Sequence, residues 1–129
     1  YQPGAASPFD GIVVGSSSAP TLADLDGDGD LDAVVGLNYG TLAYLLNTGS
    51  AIAPAFAYQP GAANPFNGID VGQSSVPTLG DLDGDGDLDA LVGANNGTLP
   101  FFLNTPAAGI PIVVNVTAQN DAPVLTDVT

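Results

Sequence analysis

The chain of 129 residues contains no cysteine, no lysine, no arginine and no histidine. Without cysteine it has no disulfide framework and no thiolate metal site. Without a cationic side chain it has no phosphate clamp, which removes nucleic acid and anionic membrane surfaces from the expected partners. No apolar run reaches transmembrane length, so membrane insertion is not expected. Catalysis loses most of its usual groups: there is no histidine, cysteine, lysine, arginine or glutamate to act as base, nucleophile or oxyanion clamp. Asp10 and Asp70 do not form a repeated pair, and nearly all other carboxylates fall in two loops, so an enzyme is not expected. No signal peptide is visible and the first residue is Tyr1, which reads as a mature or excised piece of a longer precursor.

What is present is glycine, proline and aspartate. The 17 glycines and 11 prolines favour turns and short strands over long helices. Apolar residues make up 45% of the chain, enough for a core despite a formal charge of −14. The charge is concentrated. Asp24-Leu25-Asp26-Gly27-Asp28-Gly29-Asp30-Leu31-Asp32 returns as Asp81-Leu82-Asp83-Gly84-Asp85-Gly86-Asp87-Leu88-Asp89. Each loop packs five carboxylates into nine residues, and their repulsion becomes coordination if a hard cation binds.

The spacing suits Ca²⁺, which takes six to eight oxygen ligands in a flexible loop. Asp24, Asp26 and Asp28 fall at positions 1, 3 and 5, Gly29 allows a sharp turn, Asp30 offers its backbone carbonyl, and Asp32 closes the site directly or through water. Asp81, Asp83, Asp85, Asp87 and Asp89 repeat the set around Gly86. Two Ca²⁺ sites are expected. Mg²⁺ is disfavoured because it demands octahedral geometry and keeps its waters. An EF-hand would need Glu at position 12, where this chain has Val35 and Val92 in strand-like runs.

The loops belong to a longer repeat. Tyr1-Gln2-Pro3-Gly4-Ala5-Ala6 recurs as Tyr58-Gln59-Pro60-Gly61-Ala62-Ala63, an offset of 57 that also links Asp24 to Asp81 and Asn47 to Asn104. Repeat one spans 1–57, repeat two 58–105, and 106–129 is a separate strand or linker. Strands are expected at 21–23, 31–37, 41–46 and 54–58 in repeat one, with Asn38-Tyr39-Gly40 as a turn. Repeat two gives 88–94 and 98–103, and 110–117 is β-branched enough for another strand. The fold class is all-β: two tandem four-stranded blades with acidic loops and a C-terminal joining strand.

Pro20-Thr21-Leu22-Ala23 leading into Asp24–Asp32 and out through Ala33-Val34-Val35-Gly36, followed by Gly40-Thr41-Leu42 and Asn47-Thr48-Gly49, resembles an FG-GAP/VCBS-type repeat. The resemblance covers both repeats and implies blades of a calcium-binding β-propeller, as in integrin α-subunit heads and bacterial surface proteins. It implies an extracellular or cell-surface, bacterial setting, with the ten loop aspartates as ligands. The segment Val114-Asn115-Val116-Thr117-Ala118-Gln119-Asn120-Asp121-Ala122-Pro123-Val124 is similar to junctions between cadherin-like or VCBS modules.

Propellers close with four to eight blades, and two blades leave strand edges open. The expected partners are therefore other copies of the chain or adjacent repeats, joined through those edges into a filament or large surface assembly. The C-terminal strand either pairs with a neighbour's edge or folds back on its own blade. A glycan- or receptor-binding adhesin is the alternative reading. Phe9/Phe66 and Tyr44/Phe101 recur at the repeat spacing and are expected to pack between blades rather than stack on sugars. Asn96 and Asn115 head Asn-X-Thr patterns and are candidate glycosylation positions, Asn96 on a turn.

Overall fold

The computed structural model describes residues 7–105 and the strand 113–116. It contains two four-stranded antiparallel sheets, ordered β1-β2-β3-β4 and β5-β6-β7-β8. The first comprises β1 (Ala19–Ala23), β2 (Asp32–Gly36), β3 (Leu42–Asn47) and β4 (Phe56–Gln59). The second comprises β5 (Val76–Gly80), β6 (Asp89–Gly93), β7 (Phe101–Thr105) and β8 (Val113–Val116). One turn of 3-10 helix, Gly61–Ala63, lies in the connection between them.

The strands form where short apolar and β-branched runs meet turn residues. β4 crosses the point at which the sequence repeat restarts, so Tyr58 and Gln59 complete the first sheet. β8 lies 57 residues after β4 and fills the same place in the second sheet. The C-terminal strand thus pairs with β7 of its own sheet. Its register is offset by one residue: Gln59 faces Tyr44, whereas Val116 faces Phe102 rather than Phe101. β7 starts later than the expected 98–103. Pro100 stands where repeat one has Ala43, and proline has no N–H for the ladder.

The sheets pack face to face. The shared core joins Val34, Leu42 and Tyr44 of the first sheet to Ala90, Val92 and Phe102 of the second. Phe66 and Ile69, from the connection, fill the seam. A second cluster, Ala33, Val35, Ala43 and Leu45, lies on the opposite face of the first sheet under Ile12 and Val14. The pairing Ala33↔Leu45 and Val34↔Tyr44 explains the division, because successive strand residues point to opposite faces.

Gly36 sets the closeness of the two repeats. A Cβ there would lie 2.0 Å from the Ser75 carbonyl oxygen and 2.6 Å from Pro77 Cδ. Ser75 is buried in this contact. Its hydroxyl accepts from Leu37 N at 2.8 Å and lies 2.7 Å from the Thr41 carbonyl oxygen and 3.1 Å from that of Leu37. The polar cost of burying this hydroxyl is thus met across the seam.

Candidate metal centres

Each acidic loop connects the first two strands of its sheet, β1 to β2 and β5 to β6. The chain turns sharply because Gly29 and Gly86 adopt φ of +94° and +97°, a region open to glycine at little cost. The loops are wound on their own carboxylates. Asp24 accepts from Gly27 N at 2.8 Å and from Gly29 N at 3.1 Å. Asp81 accepts from Gly84 N at 2.7 Å and Gly86 N at 3.1 Å. Asp26 and Asp28 accept from the amides two residues on, as do Asp83 and Asp85. These Asx-type bonds hold the loop in a curl and turn its oxygens inward.

Two groups of carboxylates result. In the first loop, oxygens of Asp24, Asp26 and Asp28 lie within 4.8 Å of one another. In the second, the grouping is Asp81, Asp83 and Asp89. Asp30, Asp32, Asp85 and Asp87 stand outside these groups. The donor set is all oxygen, which selects a hard divalent cation over a soft one. Asp30 adds a second observation. Its side chain is buried, and among the described residues Oδ1 has no hydrogen-bond partner. A buried carboxylate oxygen without a donor is costly unless a cation or solvent meets it.

The electrostatics agree with such a need. Asp26, Asp30 and Asp83 are all held above the ordinary carboxylate range, by desolvation first. Neighbouring carboxylates add to the effect: Asp32, Asp28 and Asp24 for Asp26, Asp28 and Asp32 for Asp30, and Asp85 and Asp89 for Asp83. The Asp28 and Asp85 amides partly offset this at Asp26 and Asp83, and the Asn47 side chain does so at Asp30.

Asp32 and Asp89 also carry the fold, Asp89 while standing in the second carboxylate group. Both are buried, at 1% and 0% exposure. Asp32 accepts from Asn47 N at 2.7 Å, Tyr44 OH at 3.1 Å and Leu25 N at 3.2 Å. Asp89 accepts from Leu82 N at 2.8 Å and Asn104 N at 2.9 Å. Each carboxylate therefore ties the start of the acidic loop to the end of the third strand. Burial and the Asp32 charge push the Tyr44 phenol well above its usual range, so it remains a donor. Asn47, buried, accepts from Gly49 N and Ala55 N and shapes the turn into β4. Sequence reasoning noted the repetition Asn47/Asn104 without a role for either; the role depends on the strand register.

Of the candidate glycosylation positions, Asn96 is exposed on a turn, with its side-chain oxygen accepting from Thr98 N and Oγ1. Asn115 falls in β8, whose side chains lie outside the described residues. No helix among the described residues is long and apolar enough to cross a membrane.

Four-stranded sheets with an acidic loop between their first two strands, repeated and packed together, define an all-β repeat module. The sequence profile of the FG-GAP-like repeat matches residues 24–92, more than half of the chain, and the chain belongs to that family. The matched stretch includes both acidic loops and all of the seam core but Phe102. Repeats of this family are typical of extracellular proteins. No curated protein and no solved structure matches the chain significantly.

Proposed function

We propose that the chain is a non-catalytic, extracellular calcium-binding structural module that associates with further copies or repeats into a filament or surface assembly. The observation that carries the calcium reading is the pair of curled acidic loops, one holding a buried carboxylate oxygen without a partner. Asp24, Asp26 and Asp28, joined by Asp30, would hold one ion, and Asp81, Asp83 and Asp89, joined by Asp85 and Asp87, the other, with Asp32 supporting the first loop from beneath. A bound Ca²⁺ would supply positive charge and oxygen coordination where the chain has no cation of its own. Two ions would lower the formal charge from −14 to −10. Because the folded loop binds the ion and an extended chain does not, calcium stabilises the fold by mass action.

The test is thermal unfolding of the wild-type chain and of the double variant Asp26→Ala, Asp83→Ala, each in millimolar calcium and in excess chelator. The wild type is expected to melt at higher temperature in calcium, and the double variant to lose most of that difference. Equal calcium shifts in both proteins would refute the assignment.

A further inference from the structure

The two repeats meet through unlike faces, and each repeat has a spare copy of the face its partner uses. At the seam the first sheet presents Val34, Leu42 and Tyr44, and the second presents Ala90, Val92 and Phe102. Shifting these positions by the 57-residue repeat gives the outer surfaces. Leu91 and Phe101 on the second sheet, with Leu99 just ahead of β7, occupy the places of Val34, Tyr44 and Leu42. Ala33, Val35 and Leu45 occupy on the first sheet the places of Ala90, Val92 and Phe102. The molecule therefore ends in one half of its own seam at each side.

Exposure follows this division around the faces, although Ala33, Val35 and Leu45 themselves are already covered by Ile12 and Val14. Leu42 is 4% exposed and its counterpart Leu99 66%; Phe66 is 3% exposed and its counterpart Phe9 41%. Ser75 and Pro77 are buried, whereas Ser18 and Pro20 are exposed. An apolar cleft of about 560 Å³ opens at the first repeat, lined by Phe9, Ile12, Val14, Pro20, Val35 and Leu45. Phe9 is already held there by stacking on Phe56, ring centroids 4.3 Å apart.

Gly93 supplies an independent sign. Its counterpart Gly36 must be glycine because Ser75 and Pro77 press onto it. A Cβ at Gly93 would meet nothing nearer than 3.7 Å, and then only Val76 of its own sheet. Glycine inside a strand weakens it and often marks the close approach of another backbone. Among the described residues no such backbone is present at Gly93. The segment shaped to fit it, by the repeat, is Ser18–Pro20.

We propose that the outer face of repeat two receives the outer face of repeat one of a second copy, head to tail. Gly93 takes Ser18 and Pro20 of the neighbour as Gly36 takes Ser75 and Pro77 within the chain. The Ser18 hydroxyl then meets the backbone of Ala94 and Thr98, the counterparts of Leu37 and Thr41. This rests on the self-association reading above and gives it a geometry of packed faces rather than paired strand edges. The contact is heterologous, so copies continue into a ring or a filament.

The test is sedimentation velocity of the 129-residue chain at rising concentration in millimolar calcium, beside Gly93→Ala and Leu99→Ser. Melting temperatures are measured at the lowest concentration. The wild type is expected to associate. Both variants should need at least tenfold more protein to do so, with Gly93→Ala leaving the dilute melting temperature unchanged. If all three associate alike, the docking face is wrong while self-association stands. If the wild type stays monomeric up to millimolar concentration, both fall.

Discussion

Replacing Asp32 by asparagine separates a fold-bearing carboxylate from a metal ligand. Asp32 is buried and accepts three hydrogen bonds, from Asn47 N, Tyr44 OH and Leu25 N. Asparagine keeps the shape but exchanges one oxygen for an NH₂. If the remaining oxygen keeps the 2.7 Å bond to Asn47 N, the NH₂ faces Leu25 N and Tyr44 OH. The phenol can rotate to accept; the Leu25 amide cannot. One donor is stranded and two bonds lose their charged acceptor, each worth roughly 1.5–3 kcal/mol. Relief from burying a carboxylate offsets part of this. The net loss is about 2–4 kcal/mol, or a fall in Tm on the order of 10 °C for a domain of this size. The assay is thermal unfolding followed by circular dichroism, in chelator and then in calcium. The fall must appear in full in chelator, since none of these bonds requires an ion. Asp26→Asn, on the exposed side of the same loop, should change the chelator Tm by no more than about 0.5 kcal/mol equivalent. If Asp32→Asn melts with the wild type in chelator and differs only in calcium, the keystone argument is wrong.

Gly36→Ala should destabilise by about 3 kcal/mol, because its methyl drives Ser75 and Pro77 off β2 and breaks the Ser75 bonds. Gly93→Ala should stay within about 0.5 kcal/mol in dilute solution, and equal denaturation midpoints for the two variants would refute the packing account. Tyr44→Phe removes one of three donors to Asp32 and should cost about 1–2 kcal/mol by urea denaturation; an unchanged midpoint would mean that bond contributes nothing. Asp26, Asp30 and Asp83 have folded-state values raised above the ordinary 3.8, so their contribution favours the metal-free fold below that value and is lost as pH rises through the raised values. In chelator, Tm should therefore fall as pH rises from 3.8 through the raised values, and a Tm that rises over that span would count against the crowding of these carboxylates.

The periodicity of 57, most strand positions (though not β5) and the two acidic loops were legible because each is local. A repeat needs only comparison of the chain with itself, a strand needs a short run of apolar residues, and Asp-X-Asp-Gly-Asp-Gly carries its own turn chemistry. The same local reading gave all five aspartates of each loop to the metal, Asp30 through its carbonyl and Asp32 as the closing ligand, and gave none of them a part in the fold. It could not separate Asp32 from Asp26, because the donors that occupy Asp32 include Asn47 N, fifteen residues away, and the Tyr44 phenol. Those groups reach it only through the register of β2 on β3.

Sequence by itself also determined that the repeats are alike; only the tertiary structure decided how they differ. Gly36 and Gly93 are the same residue at the same place in the repeat, yet one is pinned under Ser75 and Pro77 and the other, among the described residues, meets only Val76 of its own sheet. Leu42 and Leu99 are likewise one residue type at one repeat position, and their exposure differs by more than tenfold. The reason is physical. Composition and pattern set which faces are apolar, since side chains alternate across a strand. Which apolar face is covered depends on what the chain brings against it, and only the packing of the second sheet on the first decided which copy of each repeated face lies in the seam.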